Sequence, residues 1–130
     1  MERLVVCLDT SILIDYFRKK DKTNSLLYQL SAKDYEFSIT SITEFKLRRG
    51  ISKRQEDFWN KLLASIEVLA FTSQSAKLAS EIDNKLKKKN KQVNLADLFI
   101  AAIALNHDLP IATLNKKHFD RIPGLNSVSL

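Results

Sequence analysis

Asp97 lies within Leu95-Ala96-Asp97-Leu98-Phe99-Ile100-Ala101-Ala102-Ile103-Ala104-Leu105, where every other residue is Leu, Ile, Phe or Ala. A helix that is apolar all round is normally buried. An isolated carboxylate inside it is strongly destabilising or takes up a proton. The acid therefore needs a helix-terminal position, a cationic partner or a metal ion. Asp9, Glu44 and Asn115 are the residues best placed to share a site with it. Three carboxylates gathered together repel one another unless a cation neutralises them. Hard oxygen ligands, with no supporting cysteine and no histidine at ligand spacing, select Mg²⁺ or Mn²⁺ rather than zinc. Such an ion, alone or as a pair, activates a water as nucleophile and stabilises the leaving oxygen of a phosphodiester.

The elements that must carry these residues are legible as alternating short apolar runs and helical patterns. Leu4–Leu8 reads as a buried strand, followed by a helix over Ser11–Arg18. A second helix is predicted over Thr23–Ala32, a strand over Glu36–Ile39, and a helix from Ser41 to near Gly50. Arg54–Ala64 reads as helix, Ile66–Ala70 as strand and Thr72–Asn90 as a long helix. Asn94–Asn106 is the apolar helix, Pro110–Thr113 a fourth strand with proline at its first position, and Ser127–Ser129 a last short strand after the Pro123-Gly124 turn. Strands interleaved with helices predict a three-layer α/β/α domain over residues 1–130, with a central, mostly parallel sheet of four or five strands.

In such folds the ligand crevice lies outside the carboxyl ends of the strands. Asp9 ends the first strand, Glu44 follows the second, Asp97 opens a helix and Asn115 follows the fourth, so all four can reach one crevice. Each also has a purely structural reading. Asp9 could be an N-cap ahead of Thr10-Ser11. Ser41-Ile42-Thr43-Glu44 matches a capping box in which Glu44 reaches back to the Ser41 N–H. Asn94 to Asp97 reads as a similar cap near the positive end of the helix dipole, and Asn115 suits a turn. Convergence of four separate caps at one edge is less probable than one site.

Twenty-one Lys and Arg against fifteen Asp and Glu give a net charge of +6, a balance that favours a polyanionic partner such as nucleic acid. The densest basic run is Lys85, Lys87, Lys88, Lys89 and Lys91. Lys46, Arg48 and Arg49 stand closer in sequence to Glu44 and are the preferred phosphate contacts. His107 and His118 read as structural or exposed, and Asp15 and Asp120 as surface or turn residues. The single cysteine, Cys7, sits in an apolar run, excludes an intramolecular disulfide and suits a reducing cytoplasm. The amino-terminal apolar stretch is too short for a membrane span.

Leu8-Asp9-Thr10-Ser11-Ile12-Leu13-Ile14-Asp15, Ser41-Ile42-Thr43-Glu44, Val93 through Ala104, and Thr113-Leu114-Asn115-Lys116-Lys117-His118-Phe119 recur in this order and spacing in PIN-domain proteins. From Leu4 to Leu125 the chain resembles the VapC-type toxin ribonucleases of prokaryotic toxin–antitoxin pairs. The resemblance implies a Mg²⁺-dependent endoribonuclease, with Mn²⁺ as a substitute, that hydrolyses RNA through a metal-activated water and leaves 5′-phosphate and 3′-hydroxyl ends. By position, Asp9, Glu44 and Asp97 match the family's acidic metal-binding residues. Asn115 falls where many PIN domains carry a fourth acid, which removes one charge from a second metal position. Thr10, Ser11 and Thr113 match hydroxyl positions expected to orient carboxylates or water. Lys46, Arg48 and Arg49 are candidates to contact RNA or antitoxin. A homodimer and a small antitoxin whose tail occupies the groove are implied as well. A receiver-type signalling module would need an acid at the end of the central strand, whereas Val68-Leu69-Ala70-Phe71 has none. The more serious rival is a PIN domain that binds RNA or a partner without cutting.

Overall fold

The computed structural model describes residues 3–130. Four strands, β1 (Val5–Leu8), β2 (Glu36–Thr40), β3 (Glu67–Leu69) and β4 (Ile111–Ala112), form a wholly parallel sheet in the order β3-β2-β1-β4. Between them run α1 (Thr10–Arg18), α2 (Leu26–Ser31), α3 (Ser41–Arg48), α4 (Glu56–Ala64), α5 (Ser73–Lys88) and α6 (Leu95–Asn106), and α7 (Lys116–Phe119) follows β4. Parallel pairing with both faces covered explains why β1 is a continuous apolar run rather than an alternating one.

The sheet separates two apolar clusters. Val6, Leu8, Ile39 and Ala112 pack with Ile12, Leu13, Leu27, Leu30, Leu47, Trp59 and Leu63 from α1 to α4. Ile111 packs with Ala79, Ile82, Leu86, Leu98, Ile100, Ala101 and Phe119 from α5 to α7. Adjacent Ile111 and Ala112 thus serve opposite faces, as the period of two requires. The chain steps outward from β1 to β3 over one face. It then returns over the other face to place β4 on the far side of β1, which keeps every crossover of one hand. Strand order therefore reverses between β1 and β4, and the crevice of a doubly wound sheet opens at that point.

Several boundaries differ from the sequence reading. The helix predicted over Thr23–Ala32 is a 3₁₀ turn at Lys22–Asn24 followed by α2. Ser25 restarts the chain by accepting the Tyr28 N–H, and the Asp15 carboxylate accepts the Leu26 N–H at 2.9 Å. A second 3₁₀ turn at Lys53–Gln55 precedes α4. The strand predicted near Ser127–Ser129 is a single parallel bridge from Ser127 to Ile111, because two-residue β4 leaves room for one such exchange. Helix α7 was not anticipated. Four residues do not hold a helix alone, and buried Phe119 anchors this one in the second cluster.

Candidate functional site

Asp9 stands directly after β1 at the N-cap position of α1 but makes no capping bond. Its side chain is 2% exposed. Oδ2 instead accepts the Ser11 hydroxyl at 2.9 Å and the Thr113 hydroxyl at 2.8 Å. Each hydroxyl is itself held by the loop after β4. The Leu114 N–H donates to Ser11 Oγ at 3.0 Å, and the Asn115 N–H donates to Thr113 Oγ1 at 2.9 Å. Asp9 is thereby fixed across the reversal point by residues about a hundred positions apart. Its second oxygen, Oδ1, is buried with no hydrogen-bond partner. A buried carboxylate oxygen without a donor is strongly disfavoured unless something outside the protein satisfies it. The neighbouring Cys7 thiol registers both effects, since burial and then the Asp9 charge push it up to about 12.

Asp97 is 5% exposed and occupies the first turn of α6. Asn94 caps that helix, its Oδ1 accepting the Asp97 N–H at 2.9 Å, while Asn94 Nδ2 donates to Asp97 Oδ2 at 2.8 Å. The cap read from the sequence therefore forms, with the Asn94 side chain closing the return limb. His118 Nδ1 lies 3.3 Å from the same Oδ2, a contact that the sequence reading missed. Its imidazole is half exposed, and only the fold of α7 against α6 brings it there. Because α6 runs down to the start of β4, its first turn lies at the carboxyl edge of the sheet.

Glu44 does not form the expected capping box. Strand β2 runs into α3 without a loop, so Thr40 takes the N-cap and accepts the Thr43 N–H at 3.1 Å. Ser41 Oγ accepts the Phe71 N–H at 3.2 Å instead. The Glu44 carboxylate pairs with Arg48 one turn on, Oε2 to Nε at 2.9 Å, and Arg48 also reaches Asn60 Oδ1 at 3.1 Å. Arg49 lies over the Phe45 ring at 5.5 Å. Two of the three cations singled out near Glu44 thus have partners within the chain.

An open cleft of ≈ 600 Å³ lies at the reversal point, lined by Asp9, Thr10, Ser11, Asp15, Lys46 and Asn115, with Ile14, Arg18, Lys19 and Leu114. Thr10 Oγ1 is buried without a partner and makes no bond to a carboxylate. Asn115 is exposed and makes no side-chain cap to α7. Glu44 and Asp97 lie outside the lining of this cleft. Among the described residues, no three His, Cys, Asp or Glu side chains form a ready-made cation cage. The structure therefore brings Asp9, Ser11, Thr113 and Asn115 together and joins Asp97 to His118, while Glu44 stands apart on its arginine. The donor set still fits a hard divalent cation, since it is all oxygen and includes the orphaned Asp9 Oδ1. Among the described residues no helix is long and apolar enough to cross a membrane.

A sequence model of the PIN domain matches residues 6–125. Ribonuclease VapC1 of Methanocaldococcus jannaschii is 34% identical over 122 residues, which span 93% of this chain and 83% of that protein. Ribonuclease VapC3 of the same organism is 41% identical over 96 residues, 74% of this chain and 94% of that one. Among solved structures, VapBC2 from Rickettsia felis, bound to a DNA fragment from its promoter, contains a chain that superposes with a TM-score of 0.81. The identity there is 27%, covering 98% of this chain and 99% of that one.

Proposed function

The chain belongs to the PIN-domain family, in its VapC branch, and on that premise we propose that it is a divalent-metal-dependent endoribonuclease acting as the toxin of a toxin–antitoxin pair. The observation that carries this reading is Asp9, buried at the strand-order reversal with one oxygen held by two hydroxyls and the other left without a partner. A site built for no ligand would have no reason to keep that oxygen out of water. Asp9 and Asp97 would hold Mg²⁺, with Mn²⁺ as a substitute, and Glu44 would join them on release from Arg48. When bound, the cation supplies Lewis acidity for water and counter-charge for the phosphodiester.

The remaining work falls to side chains of the chain. Ser11 and Thr113 hold Asp9 in one orientation, so its free oxygen stays aimed while Oδ2 is occupied. Asn94 does the same for Asp97, and the His118 ring stands 3.3 Å from the same oxygen. Lys46 and Asn115 on the cleft wall provide a cation and an amide for the RNA phosphate. Hydrolysis breaks the P–O3′ bond, leaving 5′-phosphate and 3′-hydroxyl ends. The apolar remainder of α6 anchors Asp97 rigidly, the condition for a positioned catalytic group.

An antitoxin partner is proposed from the VapBC complex that the fold resembles. A homodimer is proposed from the family resemblance, with the solvent-facing Phe45 and Leu95 as candidate interface side chains. The Glu44–Arg48 pair, and the lack of a ready-made cage among the described residues, favour a second reading, a PIN domain that binds RNA or protein without cutting. Purified protein incubated with end-labelled RNA separates the two. The nuclease reading expects cleavage with Mg²⁺ or Mn²⁺, none with chelator, and none from Asp9→Asn or Asp97→Asn proteins whose circular dichroism is unchanged. Cleavage by either variant at the wild-type rate would sink the site assignment, and failure of calorimetry to detect Mn²⁺ binding would favour the silent module.

A further inference from the structure

A second cleft, of ≈ 240 Å³, lies where the end of α5 meets the turn after α7, and it is lined by Lys85, Lys89, Lys91 and Arg121 with Asp120. The convergence is built by the backbone. Asn90 takes a left-handed conformation, φ 56°, and ends α5 with a Schellman turn in which the Lys91 N–H donates to Leu86 O at 2.9 Å. That reversal folds Lys91 back over the last helical turn, beside Lys85 and Lys89. Arg121 enters from another segment, its guanidinium donating to Gln92 O at 3.0 Å.

Lysines at a helix carboxyl terminus suit the dipole and need no ligand. Two details go beyond that explanation. Lys87, on the same turn, pairs with Asp83 at 2.9 Å, whereas among the described residues Lys85, Lys89, Lys91 and Arg121 have no carboxylate partner. Arg121 does not belong to α5 at all, yet it completes the cluster. Four cations face one carboxylate in this cleft, a concentration of charge that like-charge repulsion disfavours unless a polyanion neutralises it.

The cleft is also coupled to the candidate site. The loop into α6 and the segment around α7 are tied twice, by Gln92 to Arg121 at the cationic cleft and by Asp97 to His118 at the acid. Five positions along one segment and three along the other separate the two ties. Two of the three cations preferred from sequence are engaged within the chain, Arg48 with Glu44 and Arg49 with the Phe45 ring. We propose that Lys85, Lys89, Lys91 and Arg121 form a binding site for the phosphodiester backbone of single-stranded RNA, guiding the strand past Asp97. This rests on the reading of the chain as an RNA nuclease.

The test measures binding of a fluorescently labelled single-stranded RNA by anisotropy, in chelator so that nothing is cut, over a range of KCl. Wild type is compared with the triple variant Lys85→Gln/Lys89→Gln/Lys91→Gln and with a charge-matched control, Lys53→Gln/Lys61→Gln/Lys77→Gln. The cleft triple variant should bind about 10-fold or more weakly near 0.1 M salt. Its log–log salt slope should fall by about 2, near 0.7 for each lost phosphate contact on a single strand. The control should keep the wild-type affinity and slope. A cleft triple variant indistinguishable from the control would overturn the proposal while leaving the nuclease reading in place. Absence of RNA binding by the wild type would count against the nuclease reading itself and take this proposal with it. Polyglutamate held by wild type and lost by the cleft variant, with RNA binding unchanged, would overturn it in favour of an acidic protein segment.

Discussion

The starts of α1 and α6 each bury an aspartate at the carboxyl edge of the sheet, and they treat it in opposite ways. At α6 the acid is served locally, because Asn94 both caps the helix through Oδ1 and donates Nδ2 to Asp97 Oδ2, with the His118 ring of α7 beside the same oxygen. At α1 the acid occupies the cap position and caps nothing. Asp9 is held from outside its helix by hydroxyls tied to the loop after β4, and one of its oxygens is left bare. Asp97 has one local donor at Oδ2, from the residue that caps its own helix. A carboxylate held rigidly yet left incomplete, as Asp9 is, is shaped for something that arrives later.

Neutralising the two acids should break the comparison most sharply. Asp9→Asn and Asp97→Asn are each expected to reduce RNA cleavage by on the order of 10³-fold, a typical loss for a group acting on the reacting centre. Their stabilities should diverge. Without metal, Asp9→Asn removes an uncompensated buried charge and should raise the unfolding free energy by about 1–2 kcal/mol in denaturant melts. Asp97→Asn removes an acid whose Oδ2 accepts the Asn94 amide, and should leave stability equal or lower.

The next largest effect falls on the outside support. Thr113→Val deletes the donor to Asp9 and the acceptor for the Asn115 N–H, and should lower stability by about 1–3 kcal/mol in the same melts. Asn94→Ala, which removes the local support of Asp97, should cost about 1 kcal/mol. Cys7 is raised first by burial and second by the Asp9 charge. Its thiol stays protonated in the folded chain to about 12, against an ordinary value of 9.0, so the stability it contributes is full below pH 9 and is lost as pH rises toward 12. Asp9→Asn should shift the thiolate absorbance titration to lower pH by part of that rise, the larger part being due to burial. Smallest of all, Arg48→Gln should change stability by no more than about 0.5 kcal/mol, since a half-exposed pair one helical turn apart is worth little.

How far these two helix starts could be read from the chain follows the same divide. The apolar run around Asp97, and the Asn94 cap above it, are local patterns, and both hold in the structure. The parallel sheet was legible for a similar reason, since β1 and the core of α6 show continuous burial in their residue types. What depends on where distant segments meet was not legible. His118 reads as an ordinary polar residue until α7 packs on α6, and α7 itself exists because Phe119 finds a pocket. The N-cap expected at Ser41 falls one residue earlier and without a box, because β2 and α3 abut and Thr40 is as good a cap as Ser41. The Glu44–Arg48 pair had a visible spacing of four, but competed with the box for the same carboxylate.

The role of the bare Asp9 oxygen is tested most directly by a Mn²⁺ titration followed by thermal unfolding, in wild type and in Asp9→Asn. Ligand that binds only the folded chain raises its stability by RT ln(1 + [L]/Kd), about 2.7 kcal/mol at a hundredfold excess over Kd. Mn²⁺ should therefore raise the wild-type melting temperature in a concentration-dependent way, and Asp9→Asn should lose most of that rise while folding at least as well without metal. An equal rise in both proteins, or none in either, would contradict the claim that Asp9 is the acid left open for a cation.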